Sequence, residues 1–229
     1  MMLRAEGISK NYYRKRDGSN VFTAVQPTDF ELPAGQVTEI TGRSGSGKST
    51  LLNLLAGLLA PSAGKVWLDD TDLYALPDGA LSRLRNRRIG VIPQGQSGLH
   101  SLTVLENVLL PARLYGRGPA PEARARQLLE RVGIADLADV RPGDLSGGEM
   151  RRMAIARALI LEPDLLLADE PTGDLDDENT AAVLELLRDT ARQGAAVLLV
   201  THEAGAAQYA DAVYRMDGGR LTREGAEHP

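Results

Sequence analysis

A glycine-rich segment of eight residues offers the clearest chemistry in this sequence. It runs Gly42-Arg43-Ser44-Gly45-Ser46-Gly47-Lys48-Ser49 and matches the pattern G-x-x-x-x-G-K-[ST]. Glycines reach backbone dihedrals that are closed to residues with a Cβ, so consecutive amides can turn inward around phosphate oxygens. Lys48 would bring a positive charge to the β- and γ-phosphates, and the Ser49 hydroxyl is small enough to bind Mg²⁺. The segment therefore predicts binding of a nucleoside triphosphate together with Mg²⁺.

Two carboxylates follow a buried-looking apolar run later in the chain. Leu165-Leu166-Leu167-Ala168 leads directly into Asp169 and Glu170, and open α/β sheets bind their ligands at the carboxyl ends of the strands. Successive strand residues point to opposite sides, so we expect the two side chains to do different jobs. We assign Asp169 to Mg²⁺ and Glu170 to the general base that polarises water for attack on the γ-phosphate. A solvated turn would explain the pair if it stood alone.

The elements that must hold these groups in place follow from the hydropathy pattern. Short apolar runs predict strands at residues 21–25, 37–41, 66–68, 89–92, 165–168 and 196–200. Apolar residues at helical spacing predict helices at residues 49–60, 122–132 and 149–161, and one over 183–187 that ends at Gly194. Strands that alternate with helices indicate a mostly parallel sheet covered on both faces. Residues 212–222 predict an antiparallel hairpin around a tight turn.

The chain of 229 residues is long enough for one large domain. Residues from about 85 to 160 are rich in Arg, Ala and Leu in helix-forming patterns, which predicts a helical lobe inserted within a single domain over residues 1–229. The Pro/Gly stretch at 116–121 predicts a loop and not an interdomain linker. The predicted fold class is α/β, a P-loop NTPase core with a mostly parallel sheet, an antiparallel β part and this inserted lobe.

Composition excludes several classes of site. The chain has no cysteine and three histidines, which excludes disulfides and thiolate metal sites and argues against a histidine-rich metal cluster. Its formal charge of −5 does not supply the broad positive field that gathers nucleic acid. No stretch approaches the roughly 18 to 20 apolar residues of a membrane-spanning helix, and the N-terminus lacks the layout of a secretory signal. We therefore expect a cytoplasmic protein with no nucleic-acid partner.

A third motif separates this chain from other phosphate-loop proteins. Leu145-Ser146-Gly147-Gly148-Glu149 matches the signature motif of the ATP-binding cassette (ABC) ATPases, and the resemblance covers essentially the whole chain in the correct order. Two glycines and a serine before a helix present amides, a hydroxyl and a positive dipole end to a phosphate. The resemblance implies that this second site serves the nucleotide of a partner subunit, in a head-to-tail homodimer with two ATP molecules between the subunits.

Other positions resemble further family motifs. Tyr12 resembles the aromatic residue that stacks on adenine, with Tyr13 as the alternative, and Gln94 resembles the glutamine of the Q-loop. Residues 171–176 resemble the D-loop, and His202 resembles the switch histidine. The resemblance thus implies catalytic roles for Lys48, Gln94, Glu170 and His202, and magnesium ligands in Ser49, Gln94 and Asp169. It implies nucleotide contacts from Tyr12, from the phosphate loop and Thr50, from Ser146, Gly147 and Gly148, and from Asp176.

Within the family, residues 101–108 and 168–176 look most like the ATPase subunits of lipoprotein-releasing and macrolide-export transporters. Those subunits act with separate membrane proteins, so the resemblance implies an integral membrane permease as partner and a location on the inner face of the cell membrane. The chain departs from that branch at Asp174, where Asn is frequent. It departs again at Glu149-Met150-Arg151-Arg152, where Gln-rich variants are common.

Two alternatives stay open beside a transporter ATPase. One is a regulatory ABC ATPase that signals through a permease-like partner, and the other is a soluble ABC ATPase that acts on nucleic acid or ribosomes, which the acidic charge disfavours. The segment after Gln94 also holds the apolar residues Leu99, Leu102, Val104 and Leu105. They either pack the core of the helical lobe or line a groove for a cytoplasmic helix of the membrane subunit.

Overall fold

Two β-sheets form the framework of this computed structural model, which describes residues 2–13, 21–95, 97–115, 121–203 and 205–225. The first sheet has four antiparallel strands in the order β2-β1-β4-β5, and the second has six in the order β10-β9-β3-β8-β7-β6. The strands are β1 (Met2–Tyr13), β2 (Val21–Pro33), β3 (Val37–Thr41), β4 (Ala63–Leu68), β5 (Thr71–Asp72), β6 (Ile89–Ile92), β7 (Leu165–Asp169), β8 (Ala196–Val200), β9 (Ala212–Asp217) and β10 (Arg220–Arg223).

The six-stranded sheet is parallel except at its end. Strands β9, β3, β8, β7 and β6 pair in parallel, and β10 returns antiparallel to β9. The predicted parallel sheet and the predicted hairpin near the C-terminus are both present. The α-helices are α1 (Lys48–Leu55), α2 (Asp78–Arg88), α3 (Val104–Tyr115), α4 (Glu122–Arg131), α5 (Gly147–Leu159) and α6 (Asp177–Arg192).

The central strands bury both of their faces. Every residue of β7 and β8 is buried, which explains why these strands are continuous apolar runs. Leu165 and Leu167 belong to a core cluster with α1 and the antiparallel sheet. Leu166 and Ala168 belong to a second cluster with α5 and α6. Packing of one cluster on each face of the sheet fixes the carboxyl ends of the strands, where the predicted site residues lie.

Several elements differ from their predictions; β2, for example, continues to Pro33, beyond the predicted end at residue 25. Helix α1 ends at Leu55 and not at residue 60, because Gly57 takes a left-handed φ of 67° and the following amides turn back to the carbonyl of Asn53. Strand β1 is absent from the predicted strands. Its pairing register shifts between Ala5 and Ile8, and this irregularity breaks the alternation of apolar residues that identifies a strand.

The helical part of the chain packs α3, α4 and α5 against one another on the second core cluster. The stretch from about 85 to 160 also contains β6, which lies in the six-stranded sheet. Most of the loop predicted at 116–121 falls outside the described residues. Among the helices that the structure describes, none is long and apolar enough to cross a lipid bilayer.

A buried asparagine holds the segment between β6 and α3. The Asn107 side chain is fully buried and exchanges hydrogen bonds with the backbone N–H and C=O of Leu99, at 2.8 and 3.1 Å. Its amide also donates to the carbonyl oxygens of Leu102 and Thr103. Of the four apolar residues predicted here as core or docking surface, Val104 and Leu105 are buried in the core, and Leu99 is 47% exposed.

Candidate active site

A cleft of about 670 Å³ lies at the carboxyl ends of β3 and β7. It brings together residues that are far apart in the sequence, as an open α/β sheet does at this edge. Its lining includes Tyr12, Gln94, Asp169, Glu170, His202 and residues 42–50 of the phosphate loop and helix start, apart from Ser46. Ser46 is buried. Ser146, Gly147, Gly148 and Asp176 lie elsewhere, in a separate depression described below.

Two glycines of the phosphate loop lie in close contact with the backbone of other segments of the chain. A Cβ on Gly42 would lie 2.2 Å from the carbonyl oxygen of Met216, and one on Gly47 would lie 2.2 Å from that of Ala24. Both have positive φ, 147° and 111°. The Gly219 amide, in the turn between β9 and β10, donates to the carbonyl of Ser46 at 2.9 Å. The C-terminal hairpin therefore buttresses the phosphate loop, a contact that the sequence motif does not reveal.

Lys48 closes the phosphate loop. Its side chain is buried, and Nζ donates to the carbonyl oxygens of Gly42 at 2.7 Å and Arg43 at 3.1 Å. Helix α1 begins at this residue, and within the described part of the chain no side chain caps it. The first turn also contains no acidic residue. The amides and the positive dipole end of α1 are thus left for an anion in the cleft.

Asp169 is a buried carboxylate beside Ser49. It is 5% exposed, and Oδ1 has no hydrogen-bond partner among the residues that the structure describes. Burial raises the pKa of Asp169, and the hydrogen bond from Ser49 and the charge of Lys48 act in the opposite direction. An orphaned carboxylate oxygen next to a hydroxyl is an oxygen-rich environment that a hard divalent cation satisfies. The residues present therefore fit Mg²⁺.

Glu170 and His202 form a close pair at the edge of the cleft. His202 Nδ1 lies 2.6 Å from Glu170 Oε2, and the two side chains are 70% and 14% exposed. Glu170 has a left-handed φ of 52°, and its amide donates to the carbonyl of Val200 at 2.8 Å. A left-handed non-glycine residue costs of order 1 kcal/mol, so the surrounding contacts hold Glu170 in place against this strain. The geometry suits a base whose carboxylate is oriented by a neighbouring imidazole.

An aromatic pair lines the other end of the cleft. Tyr12 on β1 is the cross-strand partner of Phe22 on β2, and both line the cleft. The Lys10 ammonium lies 5.5 Å from the centre of the Tyr12 ring. Tyr13 is 83% exposed and is not among the described residues that line the cleft. Sequence reasoning missed Phe22, because the run at 21–25 predicts a strand but not its register with β1.

The signature residues line a second depression of about 500 Å³ together with Asp174 and Asp176. Among the described residues, none lines both this depression and the cleft. Ser146 caps α5, since its Oγ accepts from the Glu149 amide at 3.3 Å and the Glu149 carboxylate accepts from the Ser146 amide at 2.7 Å. This hydrogen bond holds the pKa of Glu149 below its usual value. Asp176 caps α6 in the same way, by accepting from the Asn179 amide.

Gln94 connects the cleft to the signature helix. It is exposed and lines the cleft, and its carbonyl oxygen accepts a hydrogen bond of 2.7 Å from Nη1 of Arg151 on α5. In the sequence Arg151 is visible only as a departure from the Gln-rich pattern. The structure shows that it contacts the backbone of a predicted site residue.

Comparison with known proteins identifies the family. The family described as ABC transporter matches residues 25–173. LolD of Chromohalobacter salexigens, a lipoprotein-releasing system ATP-binding protein, is 42% identical over 98% of this chain and 94% of its own length. MetN of Bradyrhizobium diazoefficiens, a methionine import ATP-binding protein, is 43% identical over 98% of this chain and 65% of its own length.

Comparison with solved structures leads to the same family. The dimeric structure of MJ0796, a bacterial ABC transporter cassette, matches with a TM-score of 0.90 and 31% identity, over 96% of this chain and 98% of that one. A dimeric post-hydrolysis state of MJ0796 with ADP and Pi matches with a TM-score of 0.89. The predicted α/β fold class is confirmed. The chain belongs to the ABC transporter family, as an ATP-binding subunit that hydrolyses ATP.

Proposed function

We propose that this chain is the ATPase of a lipoprotein-releasing type of transporter, and that it drives a separate integral membrane permease from the inner face of the cell membrane. It pairs head-to-tail with a second copy through two ATP molecules. The observation that carries the dimer is the division of the candidate phosphate-binding groups between two places that, among the described residues, share no lining residue. LolD relatives of nearly the same length and the dimeric cassette structures support the proposal.

The cleft would bind one ATP per chain. Tyr12 and Phe22 offer aromatic surface for adenine, and Lys48 with the amides of the loop holds the β- and γ-phosphates. Ser49, Asp169 and Gln94 would hold Mg²⁺, which supplies positive charge against the phosphate oxygens.

Glu170 accepts the proton of the attacking water in this scheme. Its partner His202 orients the carboxylate through the contact of 2.6 Å between Nδ1 and Oε2. Glu170 is partly buried and follows Asp169, whose Oδ1 has no hydrogen-bond partner among the described residues, so we place the base next to the γ-phosphate site.

The second depression would complete the site of the partner copy. Ser146, Gly147 and Gly148 offer the start of α5 to a γ-phosphate, and Asp176 lies at the same surface. One domain over residues 1–229, with the helical lobe at about 85–160, would then carry both halves. The exposed Leu99, between Gln94 and α3, is the candidate contact for the permease.

Glu170→Gln tests the dimer. The variant should bind ATP and hydrolyse it very slowly, because an amide does not take the proton while the phosphate contacts stay intact. Light scattering at saturating Mg-ATP should then show twice the monomer mass, and the same sample with ADP should show the monomer. A monomer at saturating Mg-ATP contradicts the sandwich.

Co-purification tests the identity of the membrane partner. A multi-span membrane protein should co-purify with the chain from a detergent extract of its source. A nucleic-acid enzyme or ribosomal proteins in place of a permease would contradict the proposal.

A further inference from the structure

Two positions where this chain departs from the branch it resembles lie beside each other in the structure. Arg151 on α5 belongs to the segment Glu149-Met150-Arg151-Arg152, where Gln-rich variants are common, and Asp174 stands where Asn is frequent. Nη2 of Arg151 lies 4.0 Å from Oδ2 of Asp174. The two side chains form an opposite-charge pair.

Arg151 also fastens the backbone that leads from β6 into the cleft. Its side chain is only 10% exposed, and Nη1 donates to the carbonyl oxygens of Pro93 at 3.1 Å and Gln94 at 2.7 Å. A guanidinium is planar and keeps its charge, so one nitrogen can hold these carbonyls while the other faces Asp174. A single residue of α5 therefore contacts two separate segments.

Asp174 lies against the glycines at the start of α5. A Cβ on Gly148 would lie 3.2 Å from the carbonyl oxygen of Asp174, and one on Gly147 would lie 3.5 Å from Oδ2. The residue has a left-handed φ of 67°, and its side chain is 74% exposed. At this exposure the ion pair by itself is weak, so the bonds from Arg151 to the two carbonyl oxygens carry most of the effect.

We propose that Arg151 is a positioning residue for ATP hydrolysis. It holds the backbone of Gln94, the segment 171–176 and α5 in one arrangement, and Asp174 balances its charge. Arg151 is not among the described residues that line the cleft, so it acts through Gln94 and not on the nucleotide. The proposal rests on the ATPase activity alone and does not need the dimer or the permease.

Arg151→Gln is the first test. We expect kcat to fall about tenfold and the KM for ATP to stay within about twofold, because charge-assisted bonds to the loop are lost while the nucleotide contacts remain. Hydrogen exchange of the isolated chain without nucleotide should rise in the peptide that covers residues 93–99. Exchange in β3 should not change, which separates a local effect from general destabilisation.

Asp174→Asn supplies the second half of the test. Alone it should slow hydrolysis about twofold or less, since the carbonyl bonds of Arg151 remain. In the double variant with Arg151→Gln, kcat should stay within about twofold of that of Arg151→Gln alone, because the exposed ion pair contributes little. Arg126→Gln is the matched control, since Arg126 is exposed and pairs with Glu122 on its own helix, and it should leave kcat unchanged.

Several results would overturn the proposal. They are an unchanged kcat in Arg151→Gln, a loss that appears only in KM, exchange that rises throughout the chain, or a loss of kcat in Asp174→Asn as large as that in Arg151→Gln. If a thermal melt shows that Arg151→Gln does not fold, Arg151→Lys serves for the same test. Lysine keeps the positive charge but lacks the planar guanidinium that donates from two nitrogens. This variant should then show a smaller loss confined to kcat, and an unchanged kcat would again contradict the proposal.

Discussion

Helices α1 and α5 both begin at glycine-rich segments, yet their first turns are satisfied differently. Helix α1 follows Gly47 with no side-chain cap within the described residues and with Lys48 as its first residue. Helix α5 follows Ser146, which forms a capping box with Glu149. A helix start carries about half a positive charge. At α5 a carboxylate already balances that charge, whereas at α1 it is left open.

This difference indicates an order of binding. The start of α1, with a lysine beside it, can hold phosphate by itself, while the start of α5 has its own hydrogen bonds and a carboxylate nearby. In the proposed dimer, ATP would therefore bind first at α1 and meet the α5 of the second copy afterwards. The three predictions below test this difference between the two helix starts.

The largest effect is expected at α1. Lys48→Ala should weaken ATP binding about 100-fold, because a buried charge-assisted contact to the phosphates is lost. Equilibrium titration with a fluorescent ATP analogue measures this affinity, at protein concentrations low enough to keep the chain monomeric. Lys65→Ala, at an exposed lysine paired with Asp72, should bind ATP normally. ATP binding by Lys48→Ala at the strength of the unchanged chain would show that α1 does not depend on its lysine.

Two carboxylates, Glu39 on β3 and Glu149 on α5, should respond oppositely to pH. Glu39 on β3, the strand that leads to α1, is 1% exposed, and burial and the charge of Glu224 raise its pKa from 4.5 to about 6. As the pH rises from 4.5 through 6 the unfolded chain loses its proton first, so this group lowers the free energy of unfolding by up to about 2 kcal/mol. Glu149 has a lowered pKa, so its contribution is present at neutral pH and is lost as the pH falls.

Glu39→Gln separates the contribution of Glu39 to the pH dependence of stability from that of Glu149. Urea denaturation at two pH values measures the change in the free energy of unfolding that the substitution causes. This change should be more favourable at pH 7.5 than at pH 4.5 by about 1 to 2 kcal/mol. An effect of Glu39→Gln that is equal at both pH values would contradict the raised pKa.

The smallest effect on stability is expected at α5. Ser146→Ala should cost about 1 kcal/mol through the lost cap, leave the ATP affinity of the monomer unchanged and lower the rate of hydrolysis. Thr103→Ala is the matched control, because Thr103 and Glu106 form a similar box at α3. It should lose similar stability and keep hydrolysis. If both variants hydrolyse ATP equally well, Ser146 serves only as a cap.

Local patterns predicted much of this protein. The phosphate loop, the Asp169–Glu170 pair and the signature segment are each contiguous in the sequence, and each depends on residue types at short spacing. The strands β3, β6, β7 and β8 were predicted because buried parallel strands are continuous apolar runs. Element boundaries were less accurate, as at the end of α1, because a left-handed glycine ends a helix within an apolar stripe.

The sequence by itself identified the candidate groups for phosphate and Mg²⁺, because a motif lists donors and charges in order. Only the tertiary structure decided how those groups are supported and divided. It places the turn at Gly219 against the phosphate loop, Phe22 beside Tyr12, and Arg151 between Gln94 and Asp174. These contacts join residues that are distant in the sequence, and they depend on strand register and helix packing, which no local pattern specifies.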